Sequence, residues 1–356
     1  MALYKILFYI IYSIAAFFAV FTAINIDFKK RNYQGVASYI VLVLMFAYVF
    51  LFGLRAIDVG TDTEMYHWQY THHDEITYGT DAPVGYMFKF LNIFSENPQI
   101  FLFIMSFLYV TLNFYALKKY TKFYKSNFFL SVFSLISLFF FESLGINVIR
   151  QGLSLAFFVL AIIYRDFSPK KKFKWISFLV LAVCFHFTSL IPVVIYLSVA
   201  YFKKIRMNYY YCIYIASVFL SAASISILSF KEYFIGFLLI DERRSGYLDA
   251  DDSSYLVGFK PQFVAFNTIF LILFVYLNKI EKNDFYTNLL KYYIVISSIF
   301  YMMFQIPYSD RWGVMSWCVI PILFSPMFKV YQSKKSIKAL FSILFLIFIF
   351  VFFQSR

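Results

Sequence analysis

Along most of this chain the hydrophobic positions do not alternate with polar ones; they run together. Predominantly apolar stretches recur near 5–25, 36–54, 99–117, 127–144, 149–165, 208–229, 261–279, 289–306, 314–331 and 338–353. Each approaches the roughly 20 residues that an α-helix needs to cross a bilayer. The pattern predicts an all-α polytopic membrane protein, one integral membrane domain over 1–356, with about ten transmembrane helices. The first run sits where a signal peptide would. Its basic residues, Lys29, Lys30 and Arg31, follow the apolar stretch and no cleavage site is evident, so it reads as an anchor.

Segment 175–201, WISFLVLAVCFHFTSLIPVVIYLSVAY, breaks the pattern. It is long for one span and short for two. KKKFK (170–174) precedes it and KKIR (203–206) follows it, and basic flanks favour the cytoplasm. A pair of short helices that enters and returns, with its break around His186 to Pro192, satisfies both flanks. Irregular backbone at that depth requires surrounding protein or a wet cavity.

The polar intervals are uneven. Two of them, 55–98 and 230–260, are long, and both fall on the outer side of this topology. Each carries one amphipathic stretch, Val84–Phe94 and Tyr233–Ile240, expected to lie along the interface. The Tyr, Asp and Arg content of both loops favours a folded, sugar-contacting surface, with Arg243, Arg244 and Tyr247 as substrate-binding positions in the second.

Composition agrees with a membrane protein. The 356 residues are 62% hydrophobic and 14% charged, against about half and a quarter in soluble domains. With the spans as given, roughly 22 of the 32 Lys and Arg but only about 4 of the 19 Asp and Glu lie on the inner side. Both termini then lie outside, and the net charge of +13 reports membrane orientation and attraction to anionic headgroups, not nucleic-acid binding. The 3 cysteines, Cys184, Cys212 and Cys318, sit in apolar runs and form neither a disulfide framework nor a metal cluster. His67, His72 and His73 lack carboxylate or thiol partners at ligand spacing, so no metal and no cofactor is expected.

Ionisable groups at outer span ends are the candidate chemistry. Arg55 directly follows the second span, with Asp58, Asp62, Glu64 and Tyr66 behind it. Glu142, Asn147, Arg150 and Gln151 crowd the turn between the fourth and fifth spans, His186 sits in the short pair, and Asp310 and Arg311 occupy the PYSDRWG turn. Each has a plain structural alternative: snorkelling arginines, a Glu142–Arg150 ion pair, a core histidine, or solvated turns. Taken together, Arg55, Arg150 and Arg311 project at one outer depth, where planar guanidinium groups suit a phosphate or pyrophosphate.

The ordered series LRAIDVGTDTEMY (54–66), DAPVGYMF (81–88), NVIRQGL (147–153), FHFTSL (185–190) and DRW (310–312) resembles the EpsG-type Wzy polymerases, which build O-antigen and exopolysaccharide. The series spreads over about four-fifths of the chain. One departure stands out: Asp81 and Ala82 occupy the place where that family has Glu before the Pro, so no catalytic role is carried onto it. The resemblance implies a glycosyltransferase C-like fold and a metal-independent, inverting transfer at the outer face of a bacterial cytoplasmic membrane. It further implies a growing glycan on undecaprenyl pyrophosphate as donor and a lipid-linked repeat unit as acceptor. Membrane lipids and a chain-length regulator protein are the other partners it allows, and nucleic acid is not among them. Within it, Arg55, Arg150 and Arg311 would stabilise the departing pyrophosphate. Asp62 would be the first choice of base, with Glu142 and His186 as alternatives. Tyr66 would stack on sugar, and Asn147, Gln151 and Asp310 would bind substrate. A lipid-linked glycan ligase, a membrane acyltransferase and a non-enzymatic flippase are the competing readings. The acyltransferase would want cytoplasmic access and the flippase internal repeats, and the sequence offers neither.

Overall fold

In a computed structural model the chain is described over residues 1–24, 31–76, 82–230, 257–329 and 335–355. Helices dominate: α1 (Ala2–Ile24), α2 (Arg31–Gly53), α3 (Thr63–Thr71), α4 (Ala82–Asn92), α5 (Gln99–Tyr124), α6 (Phe128–Ile136), α7 (Phe140–Ile146), α8 (Ile149–Phe167) and α9 (Lys172–Phe185) come first. Then follow α10 (Leu190–Tyr201), α11 (Met207–Ala222), α12 (Pro261–Glu281), α13 (Asp284–Met302), α14 (Asp310–Trp317), α15 (Ile320–Phe324) and α16 (Lys335–Gln354). Two compact units divide them, one comprising Met1–Ser189 with Phe324–Arg356, the other Leu190–Leu323.

The chemistry of the helix faces identifies the solvent. In α1 the buried side chains Tyr4, Phe8, Tyr12, Ala15 and Ala19 recur at three- and four-residue spacing, the inward stripe of a packed helix. Its outer face holds Leu3, Ile6, Ile10, Ile14, Phe17 and Phe21, all exposed and all apolar. A helix apolar on both faces belongs in lipid. Six helical stretches among the described residues are long and apolar enough to cross a membrane: Ala2–Ile24, Gly35–Gly53, Gln99–Tyr124, Pro261–Glu281, Asp310–Phe328 and Ile337–Gln354. The expected spans at 149–165, 208–229 and 289–306 are helical too. The first carries Arg150, Arg165 and Asp166, the second is 16 residues long, and the third carries Asp284 and Lys291.

The span expected at 127–144 is broken into two helices that are apolar enough together to cross a membrane. Phe128–Ile136 and Phe140–Ile146 meet at a 73° bend. Ser137 Oγ donates to the Phe133 carbonyl at 2.8 Å, which also accepts the Ser137 backbone N–H at 3.1 Å, and accepts from Tyr12 Oη at 3.2 Å, so the polar side chain at the break is satisfied inside the protein, as a membrane interior requires. The break foreseen in 175–201 is present as well: α9 ends at Phe185, His186 is extended, and α10 begins at Leu190. Pro192 lies within α10 instead of at the break. The first outer amphipathic stretch is α4, burying Val84, Phe88 and Leu91 and exposing Tyr86 and Phe90. The second, Tyr233–Ile240, lies outside the described residues, as does Asp81.

Each unit has two chemically distinct ends. In the first, α8 is buried along almost its whole length, with α5 and α9 packed on it. One end gathers Lys119, Lys122, Lys171 and Lys174, and Lys329 faces the Tyr124 ring there. The opposite end holds Gly53, Arg55, Gln99 and Ile146, joined by hydrogen bonds. In the second unit Lys291 Nζ donates to the Lys203 and Ile205 carbonyls at one end. At its other end Lys260 Nζ donates to Ser309 Oγ at 2.8 Å.

Candidate functional site

The end of the first unit opposite the lysines is built around a buried arginine. Arg55, 3% exposed, donates from Nε to Thr63 Oγ1 (3.0 Å), from Nη1 to the Phe52 carbonyl (2.6 Å) and from Nη2 to the Ile146 carbonyl (3.1 Å). It therefore ties the end of α2 and the start of α3 to the end of α7. Its acceptors are all neutral, and no carboxylate bridges to it among the described residues. Burial lowers its pKa to about 10, so it stays cationic at neutral pH.

The segment between α2 and α3 wraps onto the α7–α8 turn. Asn147 Oδ1 accepts the Thr61 backbone N–H at 2.9 Å. Gly60 has φ +90°, and a Cβ there would stand 2.7 Å from Asn147 Oδ1, so both the backbone conformation and the close approach require glycine. Thr63 Oγ1 in turn donates to the Val59 carbonyl at 2.6 Å. Asp62, partly buried at the entry to α3, accepts from Thr61 Oγ1 at 3.1 Å. Two motifs 86 residues apart in the chain thus form one polar surface.

Arg150 opens α8 on that surface, its guanidinium 6.0 Å from the Tyr66 ring centroid, at the outer limit of a cation–π contact. Tyr66 is 2% exposed and packs on Phe101. The expectation of an open sugar-stacking ring at this position is not met: Tyr66 belongs to the core, in a cluster with Tyr70, Phe88 and Phe101. Trp68, 54% exposed and stacked on His72, is the exposed aromatic of α3. Gln151 is buried against the unit. Below Gln151, a Cβ at Gly152 would collide with the Leu144 carbonyl, which is how α7 and α8 approach so closely.

His186 joins through α8. Ser154, one turn beyond Arg150, donates to the Ala182 carbonyl and bonds Ser189 Oγ, both at 2.5 Å. Helices α8 and α9 run antiparallel, so Ser154 beside Ala182 brings His186, four residues on, to the level of Arg150, at about 1.5 Å of rise per residue. The first unit therefore collects Arg55, Asp62, Asn147, Arg150, Gln151 and His186 at one end.

Glu142 turns elsewhere. It accepts from Gln354 Nε2 at 2.9 Å and faces the Tyr4 hydroxyl, which links α7 to α1 and α16. Asp310 and Arg311 belong to the second unit, where Arg311 lies 4.9 Å from the Tyr308 ring centroid and Asp310 opens α14. Lys260, unremarked in the sequence, binds Ser309 beside them, and burial lowers its pKa against the attraction of Asp310. Arg243, Arg244 and Tyr247 lie outside the described residues. Sequence reasoning also passed over Thr61, Thr63, Gln99 and Ser154. Thr61 and Thr63 stand inside the 54–66 motif and Ser154 lies i, i+4 from Arg150, whereas Gln99 carries no such signal.

The sequence profile of the EpsG family matches residues 38–356, nearly the whole chain and every element of this surface. The chain belongs to the EpsG family. This family is one of polysaccharide polymerase-like, glycosyltransferase-associated membrane proteins. The matched region of this EpsG-family chain starts within α2 and runs through all five motifs. No curated protein and no solved structure matches the chain.

Proposed function

We propose that this EpsG-family protein polymerises lipid-linked oligosaccharide repeat units at the outer face of a bacterial cytoplasmic membrane. The observation that carries the reading is a buried arginine, Arg55, which makes no ion pair among the described residues and lies at the same end of the unit as Arg150 and Asp62. A cation in a poorly hydrated place creates a positive potential around it, which suits a lipid pyrophosphate arriving at headgroup level.

In the proposed reaction, a hydroxyl of the acceptor repeat unit attacks the anomeric carbon of the donor glycan. The new glycosidic C–O bond forms as the C–O bond to undecaprenyl pyrophosphate breaks, with inversion. Asp62 takes the hydroxyl proton, a role worth about 10²–10⁴-fold in rate. Arg150 meets the developing charge on the leaving pyrophosphate, and Arg55 supports it through the field and by holding the 56–63 segment in place. His186, at the same level, hydrogen-bonds a phosphate oxygen.

Purified protein supplied with one lipid-linked repeat unit tests this directly. A ladder of products supports the polymerase. A single transfer makes it a ligase, and no transfer removes the enzymatic reading. Activity that persists in EDTA supports arginine-based catalysis; loss restored by Mg²⁺ or Mn²⁺ moves the role to Asp58, Asp62 and Glu64 as ligands.

A further inference from the structure

The basic end of the first unit is more ordered than membrane orientation requires. Lys119 and Lys122 stand three residues apart near the end of α5, and Lys171, at the N-cap of α9, shares one turn with Lys174, whose backbone N–H donates to the Lys171 carbonyl at 3.1 Å. Side chains at that helical spacing are neighbours, about 5–6 Å apart at Cβ. Both helices pack on α8, where the Lys119 ammonium lies 3.9 Å from the Tyr164 ring centroid. Lys122, Lys171 and Lys174 all act on Lys119 electrostatically, and no carboxylate is among the groups that do. The nearby acid of α8, Asp166, is bonded to Arg165 at 3.3 Å. Orientation by positive charge depends on how many lysines lie on one side. It does not call for four of them to gather where, among the described residues, no carboxylate bridges to any of them. Beside the lysines, Phe173 is 84% exposed and Phe123 is 46% exposed, an apolar ledge at the same corner.

We propose that this corner binds an anionic phospholipid carrying two phosphates, one held by the Lys119–Lys122 pair and one by the Lys171–Lys174 pair. Phe123 and Phe173 lie against its glycerol and upper acyl carbons. Basic pockets between transmembrane helices are suited to such headgroups, and the two-by-two arrangement distinguishes a diphosphate lipid from a single-phosphate one. This site lies at the end of the unit opposite Arg150, and its occupancy does not depend on the polymerase reading.

The test uses the full chain in neutral detergent, titrated with cardiolipin, phosphatidylglycerol, phosphatidylcholine or inorganic pyrophosphate, with binding read by native mass spectrometry and thermal shift. Cardiolipin is expected to bind tighter than phosphatidylglycerol, and phosphatidylcholine not to bind detectably. Lys119→Gln with Lys171→Gln, one lysine from each pair, should weaken cardiolipin about 30-fold, from roughly 1 kcal/mol per lysine. The corresponding double arginine variant should retain binding, which separates charge from folding. Lys204→Gln with Lys282→Gln removes the same charge elsewhere and should leave affinity unchanged. Equal weakening by both Gln pairs would overturn the proposal in favour of diffuse attraction. Protection by pyrophosphate equal to that by cardiolipin would overturn the lipid assignment.

Discussion

Lysine in place of Arg55 separates a structural clamp from a substrate contact. The guanidinium reaches three acceptors that lie in different directions, Thr63 Oγ1, the Phe52 carbonyl and the Ile146 carbonyl. An ammonium on a flexible stem is a single point and cannot span them. At least two charge-assisted hydrogen bonds are lost, each contributing about 1.5–3 kcal/mol. Relaxation of the 56–63 segment toward water recovers part of this, leaving about 3 kcal/mol of local destabilisation. The effect should appear as a lower unfolding temperature of purified protein in detergent and as faster proteolysis between residues 56 and 63. Arg150→Lys, at a partly exposed surface, should lower the unfolding temperature less than Arg55→Lys. An Arg55→Lys protein with unchanged unfolding temperature and an intact segment, yet no polymer, would refute the clamp and put Arg55 in contact with substrate.

Three further outcomes follow from the same geometry. Arg150→Lys should cut polymerisation at least tenfold with normal membrane levels, because the planar fork is lost; normal-length glycan from it would remove Arg150 from the reaction. Gly60→Ala should cost about 1–3 kcal/mol, from its positive φ and the approach to Asn147, visible as proteolysis of the same segment. His67 keeps Nε2 buried without a hydrogen-bond partner, and burial, then Arg55, lower its pKa below the ordinary 6.5. Protons therefore bind the unfolded state more readily, and stability present above pH 6.5 should decline as the pH falls below it; His67→Gln should flatten that slope in thermal melts.

Long apolar runs fixed the helical, membrane-spanning character in advance because a span must satisfy every backbone group within itself. The break at His186 was legible for a similar reason: two basic flanks and an awkward length left few other solutions. The bend between α6 and α7 was not, since the residue at the break, Ser137, is one serine among many and bonds Tyr12, 125 positions away. Arg55 was legible as important but not in its role. Its decisive acceptor, the Ile146 carbonyl, is a backbone atom 91 residues distant, and no pattern of side-chain types reports it. Tyr66 was misjudged because an aromatic near an arginine looks the same in sequence whether its ring faces sugar or the core. For Glu142, the obvious local partner was Arg150; its bond to Gln354 depends on how α16 packs beside α1.

The bend at Ser137–Phe139 carries a consequence for the cell's energy supply. A water-accessible pocket sunk into a membrane shortens the insulating path for protons and ions. By turning across the direction of α6, α7 sets Phe141 against Tyr48, Phe52 and Tyr109, ring against ring. A packed aromatic layer of this kind is expected to hinder the passage of water and protons along the helices. Thinning it, for example by Phe141→Ala, should make proteoliposomes permeable to protons before it changes any step of glycan assembly.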